Sequence, residues 1–168
     1  MKTNYFELLA IQQSYKIDSS LIKQQYLLMQ QTYHPDRVSD IKLQKEYIEK
    51  SMLINEAYKV LNDDYKRAEY LLILNGYEFN NKNLKNHLTV EELDEILTQH
   101  EIIDEMEDLL NLQKIYAEKI QEKSELMDKL NEYFDLGIFS EALDLTIRLK
   151  YLTNLITTIK SKIRYADN

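Results

Sequence analysis

The tripeptide His34-Pro35-Asp36 places an imidazole and a carboxylate on either side of a proline. A histidine beside a carboxylate could serve as a general base and the group that orients it. A spacing of two residues across a proline, however, does not by itself direct one side chain at the other, and no serine or cysteine nucleophile is placed to use the pair. A simple helix end is the other interpretation, because histidine in a last turn suits the helix dipole and proline often follows a helix.

The remaining titratable residues offer little further chemistry. His87 lies in a polar stretch and His100 in a helical pattern, so both are expected to be solvated. Neighbouring acids such as Glu91 and Glu92 have the pattern of a solvated helix face. The chain contains no cysteine, which excludes disulfides, a thiol nucleophile and a thiolate metal site. We therefore expect neither an enzyme nor a metal or other cofactor.

A helical pattern leads into the tripeptide. Asp18 or Ser19 can cap this helix, and Pro35 must end it near Tyr33 or His34 because proline has no N–H and disfavours helix in the preceding residue. The apolar face of the helix consists of Ile22, Tyr26, Met29 and Tyr33.

A second long helical pattern follows the tripeptide. Asp40 can begin it, and the polar residues 62–64 end it. Its shared face consists of Tyr47, Ser51, Ile54, Tyr58 and Leu61, with Ala57 beside them. Two long helices joined by a short polar loop should pack antiparallel. Short helices are expected at residues 5–9 and 65–74, with Gly76 ending the latter in the left-handed conformation.

The rest of the chain predicts a bundle. Thr89 and Glu92 have the spacing of a capping box. Helices are then expected over residues 91–109, 112–135 and 138–163, the last with the 3.5-residue period of a coiled-coil-like seam. Two glycines and one proline among 168 residues also favour long helices over many short strands. The predicted fold is all-α and closes as a three-helix bundle after residue 89.

Charge divides the chain into two parts. Residues 1–75 carry 10 basic and 10 acidic side chains, whereas residues 76–168 carry 11 basic and 19 acidic side chains and hold the whole net charge of −8. A surface of that sign repels phosphate backbones, so nucleic acid is not an expected partner. No run of 18 apolar residues occurs, so no membrane span is expected either. The N-terminus has the pattern of neither a secretory signal nor an Arg-rich presequence.

The first part resembles a J-domain, the module that triggers ATP hydrolysis in DnaK-class chaperones. The resemblance rests on His34-Pro35-Asp36, on residues 5–9 (YFELL) before it and on residues 57–61 (AYKVL) after it. Residues 67–72 (RAEYLL) with Asn75-Gly76-Tyr77 are similar to the junction of the HscB-type co-chaperones of iron–sulfur cluster assembly. The acidic second part and residues 148–152 (RLKYL) are similar too, so the likeness covers nearly the whole chain.

The resemblance implies three segments and two partners. They are a J-domain at residues 1–75, a linker at 76–88, and a C-terminal three-helix bundle at 89–168 that binds a scaffold protein. The implied partners are a specialised DnaK-like (HscA-type) chaperone, whose ATPase the loop would stimulate, and an IscU-type iron–sulfur scaffold protein, which the bundle would deliver. The implied chaperone-binding residues are His34, Pro35, Asp36, Arg37 and Lys23. The implied scaffold-binding residues are Leu93, Asp94, Leu97, Thr98, Glu101 and Tyr151.

The scaffold site has a competing interpretation. Leu93 and Leu97 share one helical stripe with Glu101 and could simply belong to the bundle core. Two residues also depart from the family pattern, because relatives often have an apolar residue at Asp94 and an acidic one at Thr98.

The helix before the loop departs from J-domains, which usually present a basic face there, because Lys23 is its single basic residue. We expect chaperone docking either to depend on Arg37, Lys42 and Lys45 or to be less sensitive to salt. A generic J-protein of a general DnaK chaperone is the alternative function, although the expected Gly/Phe-rich linker and β-rich client domain are absent from the sequence. A helical adaptor would not need the tripeptide at all. The expected location is the bacterial cytoplasm, and the sequence leaves monomer and dimer open.

Overall fold

The computed structural model describes residues 3–78 and 87–166. Within these residues the chain is helical and has no strand, which confirms the predicted all-α class. The helices are α1 (Tyr5–Leu8), α2 (Ser19–Thr32), α3 (Ile41–Leu61), α4 (Asp64–Leu74), α5 (Val90–Glu105), α6 (Leu109–Leu136) and α7 (Phe139–Ala166). The chain divides into two compact units, Met1–Leu71 and Leu72–Asn168. No helix in the described ranges is long and apolar enough to cross a bilayer.

An antiparallel hairpin of α2 and α3 forms the centre of the first unit. Stacked rings of Tyr26 and Tyr58, with centroids 4.2 Å apart, join the two helices. Closer to the loop, Tyr33 meets Tyr47 edge to face at 5.4 Å. Ile22 on α2 is fully buried, as the predicted apolar face requires. The loop between the helices therefore projects from a base packed by aromatic rings.

The helix ends in this unit follow the predicted caps. Asp18 accepts a hydrogen bond of 2.8 Å from the backbone N–H of Ser20, and Asp40 accepts one of 2.9 Å from that of Leu43. Each bond satisfies a backbone donor that has no partner within its own helix. Helix α2 ends at Thr32, before Pro35, as predicted.

The second unit is built on a hairpin of two 28-residue helices, α6 and α7. Gly137 turns the chain between them with φ +70°, a left-handed conformation that glycine adopts at little cost. Helix α5 packs against α7. Part of the core that they share consists of Ile103, Leu112, Leu155 and Ile159.

The predicted boundary between the first two helices of this bundle is wrong. The helix that was expected over residues 91–109 ends at Glu105, and α6 begins at Leu109. Met106 is extended, and the Asp108 side chain accepts hydrogen bonds from the N–H groups of Leu110 and Asn111. Asp108 is therefore an N-cap within a stretch that the sequence pattern assigned to one continuous helix. Of the predicted linker 76–88, residues 79–86 lie outside the described part of the chain.

Candidate functional site

The His34-Pro35-Asp36 loop is held as a single 3₁₀ turn. His34 is extended (φ −71°, ψ 127°), and Pro35 occupies the first position of the turn, where its missing N–H has no consequence. The His34 Nδ1 atom accepts a hydrogen bond of 3.3 Å from the backbone N–H of Asp36. The histidine thus caps the turn that carries the aspartate.

The polar groups of this turn face solvent. The side chains of His34 and Asp36 are 55% and 88% exposed, and the imidazole Nδ1 lies 3.7 Å from the carboxylate. Because both side chains are exposed, the geometry of the pair suits contact with another protein. Arg37 completes the turn and donates a hydrogen bond of 3.1 Å to the carbonyl of Gln31 on α2.

The predicted chaperone-binding residues therefore fall into two places. His34, Pro35, Asp36 and Arg37 lie within one turn. Lys23 is exposed on α2, about 14 Å along the helix from its C-terminal end. The structure does not bring Lys23 next to the loop.

Five of the six predicted scaffold-binding residues lie along α5. Leu97 is 62% exposed, and Asp94, Thr98 and Glu101 are exposed as well, whereas Leu93 is partly buried. The interpretation of Leu97 as bundle core is therefore wrong. An exposed leucine beside acidic side chains is the kind of feature that protein partners contact.

Tyr151, the sixth residue, lies in a groove on the second unit. The groove has a volume of about 360 Å³ and is formed by side chains of α5, α6 and α7. Its walls include Ile96, His100, Leu126, Lys129, Arg148 and Tyr151. Among the described lining residues, Tyr151 is the only member of the predicted scaffold set. His100, which was expected to be solvated, is half-buried in this groove instead.

The start of α5 is tied to α7 by a pair that the sequence analysis did not anticipate. Thr89 and Glu92 form the predicted capping box, with hydrogen bonds of 3.1 Å and 2.9 Å. Arg148 also donates a hydrogen bond of 2.5 Å to the Glu92 carboxylate. The Thr89 N–H and the Arg148 guanidinium hold the pKa of Glu92 below its ordinary value. No sequence pattern links residues 56 positions apart, so only the tertiary structure shows this contact.

A metal site is not formed by the described residues. Across residues 3–78 and 87–166, no three histidine, aspartate or glutamate side chains come close enough together to hold an ion.

Comparison with known proteins gives one family match for the first unit and another for the second. Residues 4–70 match the DnaJ domain family, and residues 90–160 match the family described as the HSCB C-terminal oligomerisation domain. The co-chaperone protein HscB of Proteus mirabilis is 31% identical over 158 residues, which cover 90% of this chain and 91% of that protein. The human iron–sulfur cluster co-chaperone HscB is 29% identical, over 95% of this chain and 68% of its own length.

Solved structures show the same likeness in three dimensions. The crystal structure of human HscB superposes with a TM-score of 0.86 at 26% identity and covers 96% of this chain and 82% of that one. HscB from Vibrio cholerae gives a TM-score of 0.79 at 25% identity, with coverage of 95% and 96%. These relatives are named as chaperones or co-chaperones, not as enzymes. The chain belongs to the HscB family of iron–sulfur cluster co-chaperones, and its N-terminal half is a J-domain.

Proposed function

We propose that this protein stimulates the ATPase of a specialised DnaK-like chaperone of the HscA type and delivers an IscU-type scaffold protein to it during iron–sulfur cluster assembly. One observation carries the proposal. A J-domain with an exposed His34-Pro35-Asp36 turn and an α5 helix with exposed Leu97 occur in one chain. The J-domain, residues 1–75, can then contact a chaperone, while residues 89–168 bind the scaffold protein and residues 76–88 form the linker.

The turn supports the chaperone-binding role through its geometry. Pro35 fixes the backbone and His34 caps the turn, so Asp36 is presented in a defined position. A carboxylate that is 88% exposed in the isolated protein can pair with a cation on the chaperone, and that bond strengthens once water is excluded. Arg37 would add a contact beside it, and Lys23 would add a separate one about 14 Å along α2 from its C-terminal end.

The α5 surface supports the scaffold-binding role. Leu97 offers apolar area at the middle of the helix, and Asp94, Thr98 and Glu101 surround it with polar groups. An apolar centre with a polar rim is the usual arrangement of a protein interface. Leu93 and Tyr151 are less exposed and would contribute smaller areas.

The chaperone-binding role is tested with His34→Gln in a steady-state ATPase assay with the HscA-type chaperone. We expect loss of stimulation with an unchanged circular dichroism spectrum, because the His34 side chain is exposed. His100→Gln is the matched control, since it replaces a histidine in the other unit. Full stimulation by His34→Gln would contradict the J-domain mechanism.

The scaffold-binding role is tested with Leu97→Ala and Tyr151→Ala together, by titration calorimetry with the IscU-type scaffold. We expect weaker binding while the protein stays helical. Leu110→Ala, which removes a 78% exposed leucine from α6, should bind normally. A pull-down from lysate distinguishes this function from that of a generic J-protein. Capture of the scaffold together with the HscA-type chaperone supports the proposal, and capture of a broad set of unfolded clients contradicts it.

A further inference from the structure

Helix α6 has two flanks of different character, one on either side of the residues that it buries. The flank toward α5 is charged, and its residues Glu122, Glu125 and Lys129 line the groove of the second unit. The other flank has the heptad spacing of a coiled coil and carries no charge over about five turns. It is called here the α6 neutral face and consists of Gln113, Ala117, Ile120, Ser124, Met127 and Asn131.

The neutral face is only partly covered within the chain. Gln113, Ala117 and Ser124 are exposed, Ile120 is 42% exposed, and the last two members are partly buried. Residues 76–168 hold the whole net charge of −8, so two copies of this part repel each other over most of its surface. That repulsion is weakest where a face carries no charge. Residues 90–160, which include all of α6, also match a family described as an oligomerisation domain, and this favours a second copy as the occupant.

The neutral face fits a second copy of itself in antiparallel orientation. Pairing about Gln121 places Ala117 opposite Met127 of the second copy. The same register places Ile120 opposite Ser124 of the second copy. Each larger side chain therefore meets a small one, which lets the two helices approach closely and interlock.

The charges beside the face are complementary in the same register. Lys114 lies at the edge of the neutral face and is 75% exposed, and Asp128 lies on the same edge two heptads further along. In the antiparallel pair, Lys114 of each copy faces Asp128 of the other, so opposite charges meet at both ends of the contact. A parallel pair would instead place each lysine beside its own counterpart.

We propose that the α6 neutral face is a homodimer interface, in which α6 packs antiparallel to α6 of a second copy about a twofold axis near Gln121. Both copies use the same surface, so the contact closes as a dimer and does not extend into a filament. One helix pair buries less area than an obligate interface, so the dimer exchanges with monomer. The interface is separate from the proposed chaperone-binding and scaffold-binding residues, which lie in the first unit and on α5 and α7.

Sedimentation equilibrium of the intact protein at increasing concentration measures the dissociation constant of the dimer. We expect Ile120→Glu to raise that constant at least about tenfold, because the substitution removes apolar contact and buries an unpaired carboxylate in each copy. Leu136→Glu is the matched control. It adds the same charge at a 64% exposed position of α6 outside the neutral face and should leave the dissociation constant unchanged.

Charge reversal tests the antiparallel orientation. Lys114→Asp brings like charges together at both ends of the contact, and we expect the dissociation constant to rise about fivefold. Adding Asp128→Lys should restore dimerisation, since each pair is again opposite in sign. Lys129→Asp makes the same change of charge on the groove flank and should match the wild type. A double variant that dimerises no better than Lys114→Asp would overturn the antiparallel pairing.

The remaining outcomes identify the occupant of the face, once circular dichroism shows that each variant is folded. A protein that stays monomeric at every concentration, or a dimer that neither Ile120→Glu nor Lys114→Asp weakens, overturns the proposal. If the wild type is monomeric and Ile120→Glu loses binding to the chaperone or to the scaffold, the face belongs to that partner and the proposal is wrong. His34→Gln should lose ATPase stimulation and still dimerise, so failure of the proposed function is detected separately.

Discussion

The Arg67 side chain donates a 2.7 Å hydrogen bond from Nε to the main-chain carbonyl of Tyr15, 52 residues away in sequence. The same guanidinium donates to the carbonyl of Leu61 at 2.5 Å and pairs with the Asp64 carboxylate at 3.0 Å. It thereby joins the segment before α2, the end of α3 and the start of α4, and it is 4% exposed. The arginine that helps to mark the family in the sequence is thus a structural residue of the first unit.

Replacing this arginine should destabilise the first unit. Arg67→Ala leaves two buried carbonyls without their donors, and we expect the free energy of unfolding to fall by about 3 kcal/mol. Urea denaturation followed by circular dichroism measures the change. Arg67→Lys should recover only part of the loss, because an ammonium group cannot reproduce the planar set of donors. The exposed neighbour provides the control: Lys66→Ala should stay within about 0.5 kcal/mol of the wild type, and an equal loss there would refute the role given to Arg67.

Truncation of two apolar residues on α5 should change the stability of the protein by very different amounts. Leu97 is 62% exposed, whereas Ile103 is 3% exposed within the bundle core. We expect Leu97→Ala to change the free energy of unfolding by less than about 0.5 kcal/mol and Ile103→Ala to lower it by about 3 kcal/mol. Chemical denaturation of both variants decides the matter. A large loss for Leu97→Ala would return this residue to the core and remove it from the proposed scaffold surface.

The capping box of α5 predicts a pH dependence. The Thr89 N–H and Arg148 lower the pKa of Glu92, so its charged form stabilises the folded state above the ordinary glutamate value of 4.5. That contribution is lost as the pH falls through the lowered pKa. Glu92→Gln keeps the hydrogen-bonding shape but not the charge. The melting temperatures of the two proteins should therefore differ slightly near neutral pH and converge in acid. A difference in melting temperature that grows on acidification would contradict a lowered pKa of Glu92 in the folded state.

The other end of α5 is held by Lys162. Its ammonium group donates hydrogen bonds of 2.8 Å and 2.5 Å to the carbonyls of Ile103 and Asp104 in the last turn of α5. The Ile103 carbonyl also accepts a hydrogen bond of 3.3 Å from the N–H of Met106. In Lys162→Met we expect the amide of Met106 to exchange about fivefold faster, equivalent to about 1 kcal/mol. Hydrogen exchange by NMR measures it. Lys160→Met, an exposed position on the same helix, should leave that amide unchanged.

Most helix ends were predictable because their signals are local. Asp18, Asp40 and the Thr89–Glu92 pair each lie next to the backbone groups that they cap, so spacing alone reveals them. The break at Asp108 was missed for a physical reason. Apolar residues continue on both sides without glycine or proline, and aspartate caps a helix only where the backbone is already extended.

The candidate sites divide in the same way. The J-domain turn could be identified from three adjacent residues together with the flanking segments 5–9 and 57–61, and its shape is local because proline fixes much of it. The exposure of Leu97 could not be predicted from the sequence, since an apolar residue at helical spacing suits a core as well as an interface. The contacts of Arg148 with Glu92 and of Lys162 with α5 join positions more than 50 residues apart, and no periodicity encodes them.

The attachment of α5 at both ends has a consequence for the entropy of binding. Arg148 holds its first turn and Lys162 its last, both from α7, while Leu97 lies midway between them. A helix that is already ordered before it meets a partner loses little backbone freedom on association. If a scaffold protein binds at Leu97 as proposed, more of the apolar contact there then appears as affinity, and a folding step does not limit the association rate.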